Sequence, residues 1–380
     1  MATFKVQFRR GTTAEHTTFT GAQGEITYDT ETNQLVLHDG VTPGGHRIPL
    51  ITDVPTDLSH LTDVNDVLPQ LAPTSTGVWY GDRATIIGGF NFNTVSNYYN
   101  ITTISTATTF GALTNGWTRD HTGFSDGSNI IWGGNYDSSK YGYDLTSRIS
   151  SVTLGAQEEF GTLVAGTRAG CGASNGAYGF FAGGRPADAA VPQRTIDYIV
   201  METANDATTF GELSANLGAA GGTAAGDLTR ALVKTNGSST IKRRLEYITY
   251  DTPGNSTTFG LLTDNRSDAK ATSDQTRAYY FGGTYSYKND STTIDYVTIQ
   301  TLGNTTTFGN LILPRTYGGD ACSDGTRATV NGGYCTQPDS SWGVDNSIEY
   351  ITMGTSGSAT DFGDLTQANH RGIATSGSSS

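Results

Sequence analysis

The chain is 380 residues long, with 49 glycines, only 16% charged residues and a formal net charge of −13 at neutral pH. A surface this acidic repels a phosphate backbone, which sets nucleic acid aside as a partner. No run approaches the ~20 apolar residues a spanning helix needs, so no membrane insertion is expected. Helix formers are sparse, whereas Gly, Thr, Ser, Tyr, Phe and Val are abundant, which calls for short strands joined by tight turns: an all-β fold with ample surface to bury a core. Three cysteines at irregular spacing, Cys171, Cys322 and Cys335, make neither a disulfide framework nor a metal site. They read as reduced packing residues, with a Cys322–Cys335 bridge as the alternative.

In chain order, MATFKVQFRRG opens with basic residues that no apolar stretch follows, so it does not read as a signal peptide. Alternation in KVQF (5–8) predicts a strand, and EITYDTETNQLVLHDG (25–40) predicts a hairpin turning at ETN. The phrases VQFRRGTTAEHTTFTGAQGEITYDT and LVLHDGVTPGGHRIPL resemble the N-terminal domain of the phage major tropism determinant and related tail-fibre proteins. That resemblance implies a small β-prism over residues 1–52 that trimerises, attaches to other tail or baseplate proteins of the virion, and brings no catalytic residues. Between 53 and 76, Leu58, Leu61, Val64 and Val67 or Leu68 recur every three or four residues. This spacing predicts a short helix with one apolar face, three copies of which would pack as a neck. An ordered linker pinned to the prism is the alternative. Pro69 and Pro73 end any such helix.

From residue 77 to the end the chain repeats itself. Phe-Gly occurs at Phe110, Phe160, Phe210, Phe259, Phe308 and Phe362, with successive gaps of 50, 50, 49, 49 and 54 by subtraction. Upstream lie paired hydrophobics, read as Ile101/Ile104, Ile149/Val152, Ile196/Ile199, Leu245/Ile248, Ile294/Val297 and Ile348/Ile351, and before these a Gly-Gly pair in five of the six copies. Turns such as SDGSN (125–129) and SDGTR (323–327) precede the glycines. Each unit then carries four strands, typified by 121–125, 277–283, 294–299 and 306–311. Roughly 50 residues with four short antiparallel strands is the size of a propeller blade. The first copy begins at a second strand, GDRATIIGG (81–89), and the tail ANHRGIATSGSSS has the pattern of the missing first strand. The tail would complete the opening sheet and close a six-bladed β-propeller. The repeat, on its Gly-Gly, IDY and FG-x-L positions, resembles the Kelch-like repeats of some phage tail fibres, cyanophages included.

The loop between second and third strands varies most, at about 91–100, 135–148, 185–195, 238–244, 284–293 and 334–347. These stretches carry Tyr98, Tyr99, Tyr136, Tyr141, Tyr143, Tyr285, Tyr287 and Trp342 with Asp and Asn between them. Aromatic faces stack on sugar C–H faces, and neighbouring amides and carboxylates bond hydroxyls, so these eight are candidate receptor-binding residues. The alternative for each is cover for a sheet edge. Both chain ends of the propeller are expected on the S-D-G face, which would leave the variable loops pointing away from the attachment domain.

A glycan-cleaving enzyme is the rival reading. Yet Arg119, Arg168, Arg266, Arg315 and Arg371 keep one place in the repeat, and Asp197, Glu246, Asp295 and Glu349 keep another, which argues for scaffolding over a flanking carboxylate pair. The histidines, His16, His38, His46, His60, His121 and His370, form no nucleophile or metal pattern. SDGSNIIW (125–132) only faintly resembles an Asp box, and GAAGGTAAG (218–226) falls where a strand is due. No catalytic residue, metal or cofactor is expected. The sequence thus predicts a homotrimeric virion tail-fibre subunit that binds a host-surface glycan or protein through propeller loops. A structural adaptor or decoration protein of the virion, and then a depolymerase, are the alternatives.

Overall fold

The computed structural model describes residues 9–22, 24–32, 34–47, 80–89, 95–113, 119–135, 142–186, 193–215, 222–235, 242–286, 289–317, 319–337, 339 and 341–379. It divides into two compact units, Met1–Leu71 and Ala72–Ser380. The KVQF strand and the 53–76 helix lie outside the described residues.

In the first unit, β1 (Arg9–Gly11), β2 (Ile26–Asp29), β3 (Gln34–Leu37) and β4 (His46–Arg47) form one sheet in that order, with β1 parallel to β2. The predicted hairpin is present as antiparallel β2 and β3. A helix the sequence reading did not anticipate, α1 (Thr13–Thr18), follows β1. It is started by a capping box in which Thr12 accepts from the Glu15 N–H and the Glu15 carboxylate accepts from the Thr12 N–H. Beneath it runs a buried hydrogen-bond chain. The Thr12 carbonyl can only accept, so His16 Nδ1 donates to it at 2.9 Å, and Nε2 is left to accept from Thr27 Oγ1 at 2.8 Å. Thr27 in turn accepts from His38 Nε2 at 2.9 Å, and His38 Nδ1 accepts from the Gly21 N–H at 3.2 Å. Every ring nitrogen of the two histidines thereby has a hydrogen-bond partner.

Among the described residues the second unit holds antiparallel sheets in six groups of four principal strands, the second and third groups joining through the pairing of Thr167 with Pro186 and of Arg168 with Arg185 into one sheet of eight. The first comprises Ile373–Gly377, Arg83–Ile87, Val95–Asn100 and Thr108–Ala112, in that order. The inner strands of the other five are Thr122–Ser125, Cys171–Ser174, Thr223–Gly226, Lys270–Ser273 and Gly319–Ser323. The tail therefore supplies the opening sheet's missing strand, pairing Ile373 with Ile87 and Gly377 with Arg83. The six inner strands neighbour one another in cyclic order, the last beside Ile373–Gly377 and that beside Thr122–Ser125. Hydroxyls stitch them together. Ser174 donates to the Ser125 carbonyl, Ser273 to Gly226 at 2.5 Å, Ser323 to Ser273 at 2.6 Å and Ser376 to Ser323 at 2.5 Å.

Six buried clusters fill the spaces between adjacent sheets among the described residues, including one that joins Cys322, Ile348 and Phe362 of the sixth sheet to Ala84, Tyr99 and Ala374 of the first. All three cysteines are buried thiols in no disulfide, and burial pushes the Cys335 thiol up to about 12. The strand register corrects two of the hydrophobic pairs. Asn97 faces Thr109 as Asp197 faces Thr209, so the first sheet's pair is Ser96/Tyr99. By the same alignment the second sheet's pair is Thr146/Ile149. Ile104, read as half of a core pair, is instead 56% exposed.

Candidate functional site

The face where second strands run into third strands is the candidate binding face. In the sixth sheet those strands are long, Arg327–Thr336 and Trp342–Thr352, and pair as far out as Thr336 with Trp342. Their hairpin carries two aromatics face to face: Trp342 stacks on Tyr334 with centroids 4.2 Å apart and planes 16° off parallel. The Trp342 indole donates to Asp290 Oδ2 at 2.9 Å, on a small hairpin, Thr284–Ser286 with Asn289–Asp290, of the neighbouring sheet. Burial pushes the Asp290 carboxyl above its usual range, and the indole bond partly offsets that. On the same small hairpin Tyr285 is 36% exposed and donates to Asp264 Oδ2 at 3.1 Å. Tyr334 also meets His370 edge-on at 4.5 Å and Tyr317 at 6.3 Å.

Of the eight aromatics singled out from sequence, Trp342 and Tyr285 therefore lie on one partly open patch. Tyr143 is half-buried at the start of its strand, where it pairs with Thr167. Tyr136, Tyr141 and Tyr287 lie outside the described residues. Two are corrected. Tyr99 is 2% exposed, and its hydroxyl donates to Asn331 Oδ1 at 2.7 Å while lying 2.7 Å from the Thr329 hydroxyl, so it belongs to the core between the sixth and first sheets. Tyr98 lies within a strand opposite Thr85, with Phe110 edge-on at 6.0 Å and the Arg83 guanidinium 5.4 Å from its centroid. Tyr247, Tyr296 and Tyr350 repeat that trio with Phe259, Phe308 and Phe362 and with Arg230, Arg277 and Arg327. Recurrence in sheet after sheet makes it an element of the scaffold. Tyr317, Tyr334, Asp264 and Asp290 were missed, although Tyr334 follows a Gly-Gly pair directly and could have been flagged as the residue leaving the sheet.

The repeated charges are scaffold as well. Arg266 pairs with Asp295 at 3.0 Å with neither side chain exposed, and Arg315 pairs with Glu349 in equal burial. The carboxylates cap the backbone that leaves the preceding sheet: Asp197 accepts from the Val164 N–H, Glu246 from Ser214, Asp295 from Thr263 and Glu349 from Ile312. Asn97 plays this part for Thr366 in the first sheet. Burial and the cations Arg371 and Arg119 press His370 down to about 3, so it stays neutral. Among the described residues no cluster of His, Cys, Asp or Glu could hold a metal.

Comparison with known proteins bears on each unit separately. The family model for the major tropism determinant N-terminal domain matches residues 6–42. Over 40 residues the chain is 68% identical to the tail fiber receptor-binding protein of Bordetella phage BPP-1, a match that spans 10% of this chain and 10% of that protein. The solved structure of YjhT superimposes with a TM-score of 0.57 at 12% identity, covering 74% of this chain and 94% of that one, a likeness of fold alone. The N-terminal segment is thus similar to the N-terminal domain of a phage tail-fibre protein, and the match spans about a tenth of that relative's length.

Proposed function

We propose that the chain is a tail-fibre subunit whose first unit trimerises and attaches to the tail or baseplate, and whose second unit is a six-bladed, Kelch-like β-propeller that binds a host cell-surface receptor, a glycan. The observation that carries this reading is the tail-fibre receptor-binding relative matched by the chain. The cyclic order of the inner strands and the strand lent by the tail support the propeller. The open patch of Tyr285, Tyr334 and Trp342 supports a sugar-binding face, since such rings offer stiff, flat contact area beside hydrogen-bonding carboxylates. Tyr143, and Tyr136, Tyr141 and Tyr287 on the same loops, complete the proposed face.

The test is adsorption of purified protein to host cells and to their extracted envelope glycans. Saturable adsorption that falls at least tenfold in a Tyr285→Ala/Trp342→Ala variant of unchanged melting temperature supports the reading. Unchanged adsorption removes this face. Binding to virion proteins alone would make the chain a structural adaptor, and released oligosaccharide would make it a depolymerase.

A further inference from the structure

The inner strands enclose a cavity of about 140 Å³ whose lining includes Asp120, Asp268, Tyr317 and Arg371. All four lie just ahead of inner strands, on the side where the variable loops emerge, and all four hold left-handed backbone, with φ of 60°, 57°, 45° and 61°. Ala169 holds the same conformation at the matching place, with φ of 54°, so the bend belongs to the repeat and the mouth is distinguished by the side chains it carries there. The mouth also breaks the repeat's charge pattern. Arg266 and Arg315 each bind the carboxylate of their own sheet. Arg168 instead turns to Asp120 at 3.6 Å, where Arg371 joins it at 3.2 Å. Asp197, the carboxylate of that sheet, is left with one oxygen lacking any hydrogen-bond partner. Asp268, 4% exposed, likewise keeps Oδ2 without a hydrogen-bond partner. Finally, the aromatic patch leads inward: Trp342 stacks on Tyr334, Tyr334 meets Tyr317, and Arg371 lies 4.9 Å over the Tyr317 ring.

We propose that this cavity mouth binds the terminal residue of a polyhydroxylated sugar chain end-on, with Asp268 and Asp120 accepting from ring hydroxyls, Arg371 donating to a ring oxygen, and Tyr317, Tyr334 and Trp342 forming the shelf along which the following sugars lie. The Asp268 carboxylate lies within reach of the Lys234 and Lys270 cations and bonds Ser267, yet its Oδ2 is free to accept from a hydroxyl, and the flat shelf asks for C–H faces, which a pyranose provides together. The inference rests on the glycan-receptor reading and narrows it from the loop rim to the centre.

The experiment titrates the full chain with neutral monosaccharides (glucose, galactose, mannose and N-acetylglucosamine) by saturation-transfer NMR and tryptophan fluorescence, and asks whether a binding sugar competes with adsorption to host cells. One sugar should bind in the millimolar range and compete. Tyr317→Ala, at a half-buried position, should lose at least tenfold in affinity without a fall in melting temperature. Asp268→Asn should do the same, and Tyr317→Ala decides the matter if that variant fails to fold. No binding by any of the four sugars, or binding that Tyr317→Ala leaves intact, overturns the proposal. Adsorption to host cells that persists in that case leaves the receptor reading standing and moves the contact to the outer loops.

Discussion

Asp295 accepts from Arg266 through a single guanidinium nitrogen, and the Arg266 Nε and Nη1 have no hydrogen-bond partner in their buried setting. A desolvated guanidinium so poorly repaid contributes little net stability, while removing one partner strands the other charge. Arg266→Met should therefore cost roughly 3–5 kcal/mol, and Arg266→Met/Asp295→Asn should recover most of it, because Thr263 can still donate to the amide oxygen. Urea unfolding of the two variants checks this, and equal losses would contradict it. Asp197 makes the opposite case. With no cation at hand, burial pushes its carboxyl up to about 6 from 3.8. A folded-state value above the unfolded one means that the native state holds the proton longer. Ionisation then withdraws stability as pH rises from about 4 to about 6, and nothing is lost below that window. Asp197→Asn should gain melting temperature relative to the parent at pH 7 but not at pH 3.5, and a difference constant across that range would refute the assignment.

The glycine pair found on or just after the second strand in five of the six copies shows how local geometry is written into the repeat. Gly282 and Gly283 hold φ of 57° and 102°, and a Cβ on Gly283 would lie 2.4 Å from the Ser267 carbonyl oxygen. Both reasons for glycine, left-handed backbone and close approach, apply at once. Gly283→Ala should cost at least 2 kcal/mol, since backbone at that contact cannot give way as a side chain would, and a melt showing less than half that loss would be inconsistent with the contact. Strand identity was legible because Phe-Gly punctuates every copy of the repeat and Gly-Gly five of the six. Register in the first two sheets was not, because Ser96 and Thr146 occupy positions that are apolar elsewhere, and periodicity then favoured Ile101 and Val152. The short helix α1 was marked by Thr12 and Glu15 at capping-box spacing, but its six residues carry too few apolar side chains for a period to show. Tyr98 and Tyr99 read as loop residues for the same reason: the strand begins at Val95, earlier than the misplaced pair implied. Tyr317 escaped notice because nothing in sequence says that a tyrosine between Arg315 and an inner strand turns toward the axis.

At the scale of the molecule, the tail strand ties the last residues of the second unit to its opening sheet. The tail strand buries Ile373 and Ala374 completely or nearly so, in two different clusters, and covers the backbone edge of Arg83–Ile87. Ending the chain at Asn369 would expose a long apolar edge, so the truncated protein should aggregate or melt at least 10 °C lower. Light scattering and thermal unfolding read this directly, and a monodisperse product of parental stability would mean that the sheets do not form a ring. Entry and exit bear on function too. Tyr80 approaches the turn at Gly325, and the Ser378 N–H donates to the Gly127 carbonyl at 2.6 Å, so the first and the last described residues of the second unit lie near the S-D-G turns. The cavity mouth with Asp268 and Arg371 is at the opposite ends of the inner strands. If the first unit brings three such mouths together, weak single-site contacts gain about 10²–10⁴-fold in avidity. Full-length protein should then scatter as three chains and adsorb to host cells far more tightly than residues 77–380 alone, while the two bind free monosaccharide equally. Equal adsorption by both forms would place the strength of attachment in the single second unit and argue against a contribution from the proposed trimer.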